Sequence, residues 1–152
     1  METKVRKDTE VQELLMRLLE AEQCSCVIRN GDTVRLFRRR GVKDLFELLQ
    51  QEPAFLAGAC VADKIVGKGA AALMLLGGVR SLRTETLSEA ALELLQTGDI
   101  ELTYDTVVPH IVRRDGAGIC PVEALCSDCR TAADCLPRIA GFLEQMAQKG
   151  EP

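Results

Sequence analysis

Val11, Leu14, Leu15, Leu18 and Leu19 fall at the i, i+3, i+4, i+7, i+8 spacing of one helical face. Thr9 and Gln12 stand where a capping box would open that helix. The pattern then changes. Two β-prone runs, Cys24 to Arg29 and Asp32 to Arg38, flank Asn30-Gly31. Both of these residues tolerate the positive φ of a type I′ hairpin turn. Val42, Leu45, Phe46 and Leu49 return to helical spacing, and Pro53 stops the run. Ala54 to Ala62 is unbroken apolar sequence, as expected of a strand covered on both faces.

The pattern continues in alternation. Asp63 to Leu76 reads as a helix closed by Gly77-Gly78, and Val79 to Thr84 as a short strand. Thr86 with Glu89, or Ser88 as a competing N-cap, opens a helix that runs to about Gln96 and stops at Gly98. Ile100, Leu102 and Tyr104 alternate with polar residues, and Val107-Val108 extend this strand to Pro109. Helical segments begin near Cys120 and near Ala132, the last running to about Gln148. One domain over 1–152 is expected, structured from about 9 to 148, with a frayed arm at 1–8 and a loose tail at 149–152. A hairpin followed by β-α-β-α-β crossovers predicts an α/β fold: a mixed sheet with helices on both faces, three layers α/β/α. Ligands of such sheets gather beyond the C-terminal ends of the parallel strands. That places Asp63, Ser88 and Cys120 together as a candidate site.

Two short stretches carry a resemblance. Ala62-Asp63-Lys64-Ile65-Val66-Gly67-Lys68 and Cys120-Pro121-Val122-Glu123 are similar to those of a small bacterial family of unknown function with the cytidine-deaminase-like fold. The resemblance spans roughly residues 10–145. It implies a mixed five-stranded sheet in the order 2-1-3-4-5 and a pocket where deaminases keep zinc. It does not imply deamination. Zinc deaminases need His-x-Glu at one helix start and Pro-Cys-x-x-Cys at the next. Here the one histidine, His110, is followed by Ile111 and Val112, the first start holds Asp63-Lys64, and the second has no cysteine.

Each candidate residue has a chemical and a structural reading. Asp63 with Lys64 would serve as an acid/base pair or anion anchor, or Asp63 would simply cap the helix while Lys64 faces solvent. Gly67, Gly69 and the alanines after them allow close approach by backbone or ligand. Gly67-Lys68 is no phosphate loop, because Ala62 and Gly69 stand where Gly and Ser or Thr are required. Cys120, Pro121 and Glu123 suit the N-cap, N1 and N3 positions. A helix dipole there would also favour a thiolate. Gly116 and Gly118 free the preceding loop to approach a ligand. The expected catalytic set is thus Asp63, Lys64, Cys120 and Glu123, and the ligand-binding set Gly67, Ser88 and Gly118.

Composition narrows the classes. The chain has 47% hydrophobic residues, a formal charge of −4, no Trp and one Tyr. Its core must therefore be aliphatic, and broad nucleic-acid binding is disfavoured. Arg38-Arg39-Arg40 is a solvated strand end or an anion contact. No signal peptide or membrane span is visible, so a cytoplasmic location is expected. Seven cysteines then read as thiols. Cys120, Cys126, Cys129 and Cys135 leave a metal or redox role open. Three functions follow: a binder of a nucleotide or other anionic metabolite, with or without catalysis; a non-catalytic regulatory or homo-oligomeric module; or a metal or redox protein. No cofactor motif is read.

Overall fold

The computed structural model describes residues 2–39, 41–113 and 115–150, with side chains from residue 9. The elements are α1 (Glu2–Ala21), β1 (Cys26–Asn30), β2 (Thr33–Phe37), α2 (Lys43–Gln51), α3 (Pro53–Leu56), β3 (Cys60–Val66), α4 (Lys68–Gly77), β4 (Ser81–Ser88), α5 (Glu89–Leu95), β5 (Glu101–Val108), α6 (Pro121–Cys126) and α7 (Ala132–Gln148). The five strands form one mixed sheet in the order β2-β1-β3-β4-β5. β1 runs antiparallel to β2 and β3, whereas β3, β4 and β5 are parallel. The expected α/β class and strand order are found.

Alternation in the strands divides the core. Val61, Leu82 and Ile28 face the larger side, packed with α2 and α4–α7, and are fully buried. Cys60, Ala62 and Val27 face α1, against Leu15, Met16 and Leu19. Burial of such side chains contributes ~1.5–3 kcal/mol each. α4 is the central helix of the larger layer, contacting α2, α3, α5, α6 and α7 as well as β3. That explains why its sequence is apolar all round.

Several expected boundaries are corrected. α1 starts at Glu2, so Thr9 and Gln12 lie within it and residues 2–8 are not a frayed arm. Gln12 is instead buried, accepting a hydrogen bond from Thr103 Oγ1 at 3.1 Å. The hairpin turn is Gly31-Asp32, because Asn30 pairs with Thr33. Only Gly31 has positive φ (60°), which fits a type II′ turn. Asn30 is released to donate from Nδ2 to the carbonyls of Phe55 and Ala57, both at 2.9 Å. Ala54 to Ala62 is not one strand: Pro53 at a first helical position opens α3, and β3 starts at Cys60. β3 then runs on to Val66, so Asp63 and Lys64 belong to a strand and not to a helix start. β4 likewise extends to Ser88. Two of the three arginines of the basic run are in ion pairs, Arg38 with Glu22 and Arg39 with Asp44 and Glu47. Arg40 lies outside the described residues, as do 151 and 152 of the expected tail. Among the described residues, no helix is long and apolar enough to cross a membrane.

Candidate functional site

The helix starts beyond β3 and β4 meet at one side chain, Glu123. It is the third residue of α6 and is 4% exposed. Its Oε1 accepts from Lys68 N at 2.9 Å and from Ser88 Oγ at 2.6 Å. Its Oε2 accepts from Ile111 N at 2.5 Å. An N3 glutamate can reach back to the N–H of its own N-cap, but Glu123 makes these contacts instead, and Cys120 N donates to Ile111 O. The reason lies at α4, whose N-cap is Gly67 and has no side chain to cap with. The first N–H groups of a helix need acceptors, and a carboxylate is favoured there by the dipole. Glu123 supplies from another helix what Gly67 lacks.

Ser88 completes the arrangement. As N-cap of α5 its Oγ accepts from Ala91 N at 3.1 Å while donating its own proton to Glu123. The competing N-cap, and not the Thr86/Glu89 box, is the one used. Lys68 is also buried, and its Nζ donates to the carbonyls of Cys129 at 2.6 Å and Ser127 at 3.3 Å. The ammonium thus ties α4 to the α6–α7 connection.

The glycines fit around this knot. A Cβ on Gly67 would come within 3.2 Å of both Glu123 Oε1 and Ile111 Cγ1, and one on Gly69 would collide with Val122. The close approach expected at these positions is therefore made by α6 and the loop before it. Gly118, at φ +152°, lies in a small hairpin in which Val112 bridges Ile119 and Cys120 N donates to Ile111 O at 2.8 Å.

Asp63 and Lys64 stand apart from these contacts. Asp63 pairs in register with Cys26 on one side and Thr84 on the other. Its carboxyl is half-buried and is bonded to no cation among the described residues. Burial raises it to about 7 against the weaker help of the Ile65 and Lys64 N–H groups and the Cys26 thiol. Burial and the facing Asp63 push the Cys26 thiol well above the usual range. Lys64 is exposed.

Cys120 is the N-cap of α6, half-buried and without a side-chain cap bond, and His110 is exposed. Cys126, Cys129 and Cys135 are buried beneath the α6–α7 connection. Burial holds the Cys126 and Cys135 thiols above their ordinary range, with neighbouring sulfurs adding to the effect at Cys135. No group of three potential ligands able to hold a metal ion is found among the described residues. Two surface hollows of about 300 and 390 Å3 lie elsewhere, one between β2 and α2 and one along α1. None of the seven expected site residues lines either.

The structure therefore joins Gly67, Ser88 and Glu123 directly and keeps Asp63 and Lys64 out of that cluster. Sequence reasoning missed Lys68, whose place after Gly67 marks the true helix start. It also missed Arg83, which is 8% exposed and bonded to Glu13 at 2.9 Å and Asp105 at 3.0 Å. An arginine on an alternating strand was the available signal.

Residues 14–143 match the family described as "TM1506: Domain of unknown function (DUF1893)". The chain belongs to the DUF1893 family. A solved structure similar to it is that of a DUF1893 family protein (TM1506) from Thermotoga maritima, at 2.70 Å resolution. It is 25% identical, with a TM-score of 0.76 over 83% of this chain and 85% of that one. No curated protein matches the chain.

Proposed function

We propose that this DUF1893 protein is a non-catalytic module of the cytidine-deaminase-like fold. In this reading its own Glu123 occupies the place where a relative of that fold would hold its reactive centre. The strand order and the helix starts after β3 and β4 support the fold assignment. The observation that carries the functional reading is that both oxygens of the buried Glu123 are already bonded within the fold. Its two oxygens take the donors that an anionic ligand would need from Lys68 N, Ser88 and Ile111 N. With Lys68 N at the start of α4 already bonded to a buried carboxylate, a phosphate or carboxylate arriving there would meet both a donor already taken and a like charge. The test is an amide NMR titration with inorganic phosphate and with AMP. No saturable shift is expected at residues 67–68, 88, 111 or 123, and saturable binding there would refute the closed site.

A second reading rests on Asp63. A carboxyl raised to about 7 is suited to proton transfer, with Lys64, the next residue of β3, presented on the opposite face of the sheet. Cys120 is the accessible thiol that such an activity could recruit. Shifts confined to residues 63–65 and 120 in the same titration would favour this reading over the first.

A further inference from the structure

We propose that β5 is a docking edge for a second copy of this chain, the two β5 strands pairing antiparallel about a two-fold axis at Tyr104. The inference builds on the non-catalytic reading by naming the partner.

The two edges of the sheet are treated differently. β2 is five residues long, carries Arg35 and leads into Arg38 and Arg39. Short length and positive charge are the usual guards against edge-to-edge pairing. β5 has neither. It is eight residues long and contains no Lys, Arg or Pro. It is the terminal strand, and among the described residues no backbone hydrogen bond reaches residues 102–108 from outside the sheet. Most of its side chains are exposed on both faces, Tyr104 by 40%.

The strand's sequence selects its own copy. A two-fold antiparallel pair keeps every residue on its own face of the sheet, so the axis must pass midway between a residue and that residue's copy. At Asp105 two carboxylates would face one another. At Thr103 Glu101 would face Asp105 twice. At Tyr104 residues 101–107 overlap with no acid opposite an acid. Tyr104 then meets Tyr104, Leu102 meets Thr106, Glu101 meets Val107, and Thr103 meets Asp105. Aromatic pairs and mixed polar pairs of this kind favour a ladder, whereas like charges oppose one. Asp105 is also held on its own side by Arg83, which offsets its charge at the seam.

The experiment is sedimentation velocity over a concentration series, with hydrogen exchange of β5, on the full chain and on Tyr104→Lys. Thr106→Lys serves if Tyr104→Lys does not fold. The wild type is expected to approach twice 16.6 kDa. Protection at Glu101–Val108 should rise with concentration, and the lysine variant should lose both effects while keeping its circular dichroism. A wild type that stays at 16.6 kDa, or a dimer that survives the lysine with β5 amides unprotected, overturns the proposal. That failure would leave the closed site standing, since the closed site fails only through ligand binding around Glu123.

Discussion

Asp63 is the residue whose surroundings differ most from its chemistry. A carboxylate set on a sheet without a cation is penalised by desolvation, and its folded-state pKa of about 7 lies above the ordinary 3.8. A raised carboxyl means that the folded chain holds its proton over a range where the unfolded chain has lost it. Stability from this group is therefore fully present below about pH 4 and is lost as pH rises through about 7. Asp63→Asn should remove that slope. Relative to wild type it should gain stability between pH 4 and 8, on the order of 1–3 kcal/mol once partial exposure is allowed for. Urea unfolding of both proteins across that range would check it, and parallel pH curves would place the Asp63 pKa near normal. Cys120 offers a second residue-scale test. It is half-buried while the other six cysteines are buried, so a thiol reagent should modify it first in the native protein. Equal rates for all seven would contradict the packing around Cys126, Cys129 and Cys135.

Among the elements, α4 depends most on what its neighbours provide. Gly67 gives it no cap, and Gly69 lets α6 approach until Val122 fills the space of a side chain. Gly69→Ala should raise intrinsic helix propensity yet destabilise the protein by about 1–3 kcal/mol through overpacking. A rise in melting temperature would mean that α6 is free to retreat. This element also shows how far the chain was readable. Its C-terminus was legible, because Gly77-Gly78 can do little but end a helix, and Gly78 is left-handed at φ 75°. Its N-terminus was not. Asp63 is a favoured cap, whereas the cap in use belongs to Glu123, 55 residues from Lys68 along the chain. Local rules cannot see an acceptor supplied from another helix. The same limit hid the burial of Gln12, since its partner Thr103 lies 91 residues away. β3 was misplaced for a related reason: an apolar run shows burial, and the split at Pro53 into a short helix and a later strand leaves no periodic mark.

Across the whole molecule, Glu123 is the point at which separate parts of the chain are fastened. It bonds the start of α4, the N-cap of α5 and the loop that follows β5, while Lys68 fastens α4 to the turn after α6. In the sequence the two helix openings were visible as words, but their relation was not. One proved to be a strand followed by an uncapped helix, and the other supplied its cap. The central claim is that this carboxylate is a structural clamp whose capacity is spent inside the fold. The most direct measurement is a double-mutant cycle in denaturant unfolding with Glu123→Ala, Ser88→Ala and the pair. Glu123→Ala alone should cost about 3 kcal/mol or more, since it leaves buried donors unpaired. The two changes together should cost less than their sum by about 1–2 kcal/mol, as expected for a charge-assisted hydrogen bond. Additive costs, or a Glu123→Ala protein as stable as wild type, would contradict the account.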